Sequence, residues 1–296
     1  MKVLSFEDDR GKVLKLASPP KRIVSLVPSD TYTLLRLGAG ERLVGRTRYC
    51  VEPAEEVKAI PEVGGTKDPD IDAVLDLSPD IIVMNQEENT RRDVERLEAR
   101  GAKVFVTFPK RLASGAALVA RLARLFGDID AAAKDLVRFA YDALARAEAR
   151  LNEPHVRAFV PIWNQPLMTI NGDTFISDVL LHAGADNVFA DRDRRYPLAA
   201  DIGRARPASP EEVAGRDVRY PRVTIEEVVK RAPDIVLLPD EPHSFTEEEA
   251  AAFRALDMPA AKNGRVVFAI GKHLMWPGLM SLEGIDHVAA MMRGAS

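Results

Sequence analysis

One cysteine is too few for a disulfide, so no covalent staple holds this 296-residue chain. No apolar run approaches the ~20 residues that a membrane-spanning helix requires, and the chain is not expected to span a bilayer. Neither sign of charge dominates: 41 Lys and Arg stand against 45 Asp and Glu, a formal charge of -4. A nucleic-acid binder concentrates basic residues on one face, so nucleic acid is not an expected partner. The phosphate loop GxxxxGK, the nucleophile elbow GxSxG and the dinucleotide fingerprint GxGxxG are all missing. So is HExxH, although five histidines are present, at 155, 182, 243, 273 and 287. Without a catalytic constellation, neither an enzyme nor a resident cofactor is expected. A secretory leader needs a basic start and then about 7–15 apolar residues. Glu7, Asp8 and Asp9 break that pattern, which reads as a cytoplasmic chain; processing or trimming would make it periplasmic or cell-surface.

What is present is an internal repeat. IDAVLDLSPDIIVM starts at Ile71 and IEEVVKRAPDIVLL at Ile225, and Pro79 with Pro233 and Glu87 with Glu241 keep the same offset of 154 residues. Each copy has apolar residues at helical spacing, then Pro-Asp, then a short apolar run. Proline stops the helix, and a short β-branched run suits a buried parallel strand. The pattern predicts two related α/β lobes with mostly parallel sheets.

Strands are predicted at 23–27, 43–46, 81–84 and 103–108, and again at 156–163, 235–238 and 266–270. Helices are predicted near 31–37, 67–77, 90–100, 174–183, 224–231, 246–255 and 282–292, with Gly38 and Gly101 where helix C-caps belong. Thr246 and Glu249 fit a capping box. Between the lobes an alanine-rich segment without internal glycine or proline predicts one long helix from about Asp130 to Leu151. The expected organisation is an N-terminal lobe over 1–127, a connecting helix within 128–152 and a C-terminal lobe over 153–296.

Four stretches, in order, carry a family resemblance: PPKRIVSLVPSDTYTLLRLGAGERLVG, VGGTKDPDIDAVLDLSPDIIV, IWNQPLMTINGDTFISDVLLHAGADNVF and YPRVTIEEVVKRAPDIVLL. Together they resemble the helical-backbone substrate-binding proteins of ABC importers, which take up cobalamin and ferric siderophores. The resemblance implies two Rossmann-like lobes joined by a long backbone helix, with a metal chelate held where strand-end loops converge between them. It also implies an importer permease as partner, docked by one glutamate on each lobe; Glu87 and Glu241 stand at matching positions. The alternatives are a cytoplasmic carrier or sensor of such a ligand, or a chelatase-like enzyme.

Ligand-binding candidates follow the predicted strand ends. Tyr49 offers a flat apolar face with a polar tip, and Cys50 is either a soft metal ligand or a small buried residue. Trp163 offers a stacking surface and Asn164 both donors and acceptors. Arg195, Tyr196 and Trp276 lie in later loops, where Trp276 either meets ligand or pins the last helix. Glu88 and His243 lie in the two acidic loops, which either contact a metal or cation, dock a partner, or are simply solvated. The sequence leaves open whether any protein atom ligates a metal.

Overall fold

The computed structural model describes residues 4–127 and 130–294. Its strands are β1 (Leu4–Glu7), β2 (Val13–Leu16), β3 (Ile23–Ser25), β4 (Leu43–Arg46), β5 (Ile81–Asn85), β6 (Val104–Thr107), β7 (Val156–Phe159), β8 (Ala185–Asn187), β9 (Ile235–Pro239) and β10 (Val266–Ala269). They form two four-stranded sheets, β4-β3-β5-β6 and β10-β9-β7-β8, and an antiparallel pair, β1-β2. Both four-stranded sheets are parallel. Their orders correspond: the first strand lies between the second and the third, and the fourth lies outside the third. The predicted two-lobed α/β fold is therefore present.

The repeat works through one junction, built twice. Helices Ile71–Asp76 and Ile225–Arg231 each end in a turn with a left-handed residue, Ser78 at φ 46° and Ala232 at φ 45°. Ser78 and Ala232, again 154 residues apart, are the non-glycine residues with positive φ among those described. The aspartate that follows the proline then sets the strand register. Asp80 N donates to Arg22 O (2.8 Å), and its carboxylate accepts from Arg22 N (2.9 Å). Asp234 N donates to Arg157 O (2.7 Å), and its carboxylate accepts from Arg157 N (3.0 Å). The same arginines cap the preceding helices. Arg22 Nε donates to Leu77 O (2.8 Å), and Arg157 Nη2 donates to Arg231 O (2.6 Å). The last carbonyls of a helix lack intrahelical partners, and a guanidinium supplies the missing donor.

Every residue of β5 and β9 is buried, as continuous apolar strands in a parallel sheet must be. One core gathers Val24, Leu26, Ile82, Met84, Leu97 and Val106. The other gathers Phe159, Phe189, Val236, Leu238 and Phe253, with the Phe159 ring 5.4 Å from Phe189 and 6.2 Å from Phe253.

Several elements differ from expectation. The β1-β2 hairpin was not predicted, nor were β8 and the helix Leu112–Arg124. The acidic residues that interrupt the leader pattern instead belong to the hairpin. Asp9 N donates to Val106 O (2.9 Å) and Val106 N donates to the buried Asp8 carboxylate (3.3 Å), which covers the open edge of β6. The strand expected to reach Trp163 stops at Phe159, because residues 162–168 turn back on themselves: Ile162 N donates to Met168 O and Met168 N to Trp163 O, both at 2.9 Å. The helix expected at 31–37 starts earlier, at Pro28, where proline suits the first turn. The helix expected at 67–77 is shortened to Ile71–Asp76 by Asp70, whose carboxylate caps Ala73 N (3.0 Å).

The long helix runs Ala131–Glu148 and continues as a 3-10 turn, Ala149–Asn152. Ala133, Ala140, Ala143, Leu144 and Ala147 form its buried face. The expected start of the connecting segment, residue 128, lies outside the described residues. The chain divides into two compact units: Met1–Pro109, Ala113–Leu144 and Trp276–Leu282 form unit 1, and Lys110–Leu112, Ala145–Met275 and Glu283–Ser296 form unit 2.

Candidate functional site

Open parallel sheets bind ligands beyond the carboxyl ends of their strands. In unit 1 those ends are ordered by a buried polar network that sequence reasoning missed. Asp30 is fully buried, and Thr107 Oγ1 donates to its Oδ2 (2.9 Å). Asn85 Nδ2 in turn donates to Thr107 Oγ1 (3.1 Å). Asn85 Oδ1 accepts from Glu87 N (2.7 Å), and Asn89 Nδ2 donates to Leu26 O (3.1 Å) and Thr66 O (2.9 Å). The loop carrying Glu87 and Glu88 is thus pinned by amides at its two ends. The second carboxyl oxygen of Asp30 is enclosed without a partner. Desolvation pushes this carboxyl up to about 7; Thr107 and Arg121 pull down, and Asp9 and Glu88 add to the rise.

Tyr49 is exposed after β4, with the Arg48 guanidinium 5.0 Å from its ring centre. Arg48 is held in turn by Asp68 (2.8 Å). Its neighbour Cys50 is fully enclosed, in contact with Thr31 Oγ1 (3.1 Å) and Thr47 Oγ1 (3.2 Å). Burial raises the pKa of the thiol, so sulfur stays protonated. Glu87 is half-buried, and its carbonyl accepts from Lys67 Nζ. Glu88 is exposed as a residue, yet desolvation of its carboxyl raises its pKa, with Lys67 opposing and Glu87 adding. Trp276 is buried in unit 1, where its carbonyl accepts from Ser281 Oγ (2.6 Å).

Unit 2 brings three of the predicted residues together. Trp163, in the loop after β7, is 43% exposed, and its ring centre lies 5.5 Å from that of His243, in the loop after β9. His243 packs edge-on against Phe245 at 4.7 Å. Asn164 and His243 meet on Glu249, which the sequence flags only as half of a capping box. Asn164 Nδ2 donates to Glu249 Oε1 (2.6 Å), and His243 Nε2 lies 2.9 Å from the same oxygen. Oε2 accepts from Thr246 N (2.8 Å). Desolvation favours the neutral acid, but the Thr246 N–H, Asn164 and His243 outweigh it and hold the Glu249 carboxyl at about 2.

Tyr196 stands apart from that cluster, between two guanidinium groups: Arg194 at 5.3 Å and Arg216 at 5.0 Å from the ring centre. Its hydroxyl donates to Asp217 O (2.8 Å). Arg195 is exposed, while its backbone N–H donates to Asp201 Oδ1 (2.8 Å). Asp201 is itself buried against Arg192 (3.0 Å), which anchors this arginine-rich loop. Glu241 is half-buried, with its side chain packed where a Cβ on Gly271 would collide with it at 2.5 Å.

Among the exposed apolar side chains, Tyr49, Val51, Trp163 and Ile270 stand in segments that follow strand carboxyl ends. Among the described residues no group of three or more His, Cys, Asp or Glu side chains is placed to hold a metal ion.

The family described as periplasmic binding protein matches residues 23–270. The chain belongs to the periplasmic binding protein family. Members of this family bind substrates rather than transform them, and this chain is a binding protein, not an enzyme. It is 25% identical over 222 residues to the vitamin B12-binding protein of Yersinia pestis (strain Pestoides F), covering 75% of this chain and 70% of that one. The solved periplasmic vitamin B12 binding protein BtuF of Vibrio cholerae superposes with a TM-score of 0.75 at 21% identity, over 94% of this chain and 98% of that one. The periplasmic heme-binding protein RhuT from Roseiflexus sp. RS-1 gives 0.72 at 18% identity, over 93% and 98%. No helix among the described residues is long and apolar enough to cross a membrane.

Proposed function

We propose that this periplasmic binding protein captures a metal chelate, a corrinoid or another large planar or siderophore complex, outside the cytoplasm and delivers it to an ABC-type importer. The observation that carries this reading is the pair of exposed aromatic faces at strand exits, Tyr49 in unit 1 and Trp163 in unit 2, with Tyr196 of unit 2 held among arginines. Such pockets bind by apolar and aromatic contact with a few fixed polar groups. Asn164, Arg195 and His243 are those groups here, and Glu88 contributes charge from unit 1. Cys50 and Trp276 serve packing, since both are buried. The relatives named above bind vitamin B12 or heme, which supports the ligand class.

Glu87 and Glu241 follow the equivalent strands β5 and β9 and stand 154 residues apart. In this reading they dock the importer, one from each lobe. Titration of the purified protein with cyanocobalamin, cobinamide, haemin and a ferric triscatecholate, followed by tryptophan quenching and calorimetry, tests the ligand class. Saturable micromolar or tighter binding of one of them is expected, weakened by about two- to tenfold in Trp163→Ala, because ring stacking contributes about 0.5–1.5 kcal/mol. Absence of any signal across the panel would refute the reading.

A further inference from the structure

The residue that organises the unit 2 rim is one with no exposed aromatic surface of its own. Glu249 receives three donors from three places: Asn164 from the loop after β7, His243 from the loop after β9, and Thr246 N from the start of the helix Glu247–Arg254. An ionised carboxylate only accepts, so His243 must carry its proton on Nε2. Its Nδ1 has no hydrogen-bond partner among the described residues and is not among the enclosed unpartnered atoms. Whenever the ring is neutral, this contact selects the Nε2–H tautomer and leaves the lone pair on Nδ1. The Trp163 ring lies against the same histidine, so one carboxylate ties both loops and both rings.

We infer that Glu249 is a positioning residue of the ligand site, one that locks the two rim loops together and sets the tautomer that His243 presents to ligand. The inference rests on the proposed role of Trp163, Asn164 and His243 in binding. Glutamine cannot substitute: its single carbonyl oxygen cannot serve three donors, and its amide would face one of them.

The test compares Glu249→Gln with Thr246→Ala. Thr246→Ala removes the N-cap hydroxyl, at a cost of about 0.5–2 kcal/mol, and leaves the carboxylate to Asn164 and His243; Glu249→Gln keeps a residue that suits this position of a capping box but removes one of the two accepting oxygens. Nitrogen-15 spectra of the imidazole ring, recorded without ligand and at alkaline pH where the ring is neutral, should show the Nε2–H form of His243 in the wild type and in Thr246→Ala, and mixed tautomers in Glu249→Gln. For whichever of the four chelates binds the wild type, Glu249→Gln should weaken affinity about 10-fold or more, with Thr246→Ala within about twofold. Identical behaviour of the two variants in the tautomer spectra overturns the inference. If the wild type binds none of the chelates, the ligand reading falls, and the tautomer comparison still decides the role of Glu249.

Discussion

Asp30 shows how a single side chain can make stability depend on pH. Its carboxyl is buried at the start of the helix Pro28–Arg36, and desolvation raises it to about 7, against about 4 in an unfolded chain. A group that binds its proton more tightly when folded stabilises the fold while protonated, and that contribution is lost as pH rises from about 4 through about 7. The gap amounts to at most about 4 kcal/mol. Asp30→Asn cannot titrate. Urea unfolding should therefore find the variant more stable than the wild type at pH 8, with the difference shrinking toward pH 4; parallel pH profiles would rule this account out. Nothing in the local sequence distinguishes Asp30 from an ordinary helix-start aspartate. Its burial depends on Thr107, 77 residues away. Cys50 is the opposite case: enclosure among Thr31 and Thr47 follows the common fate of a lone buried cysteine.

At the scale of elements, the helix-to-strand junction was legible because its determinants are local. Proline, aspartate and the apolar spacing all lie within one short stretch, and the structure uses them twice. The left-handed turn residues are the weak point of the device. An L-residue in that conformation costs about 1–2 kcal/mol, while glycine adds back a penalty of about 0.4–1 kcal/mol through the unfolded chain. Ala232, at φ 45° and ψ 64°, should accept glycine with a net gain of about 0.5–1 kcal/mol. A chemical denaturation curve checks this, and a loss of stability in Ala232→Gly would show that the alanine methyl makes packing contacts that outweigh the strain. The β1-β2 hairpin and β8 were not legible for the converse reason. β8 spans three residues, Ala185–Asn187, without an apolar run. The hairpin gains its place from bonds between Asp8, Asp9 and Val106, which no local pattern announces.

For the whole molecule, the duplicated architecture supports the proposed docking of Glu87 and Glu241. Their loops leave topologically equivalent strands; the Asn85 and Asn89 amides fix the backbone of the Glu87 loop, and the Glu241 side chain packs against Gly271. Glu87→Arg combined with Glu241→Arg should abolish import in whole cells, by at least about tenfold, while leaving ligand affinity of the purified protein within about twofold. Unchanged uptake with both charges reversed would remove these residues from the docking role. Neither residue belongs to the Glu249 cluster, so the two tests are independent.

By itself the sequence determined the fold class, the two-lobe repeat, the long alanine-rich helix and the capping box at Thr246 and Glu249, because apolar periodicity, proline stops and caps act within a few residues along the chain. It also marked Tyr49, Trp163, Asn164 and His243 as residues at strand exits and Tyr196 as a loop residue. Which of these residues meet is set by contacts between segments far apart in the chain. Hydrogen bonds across 85 residues from Asn164 to Glu249, and across 77 from Asp30 to Thr107, exist because the folded sheet of each unit brings its own distant segments together, and a buried or shared carboxylate gains its chemistry from those neighbours.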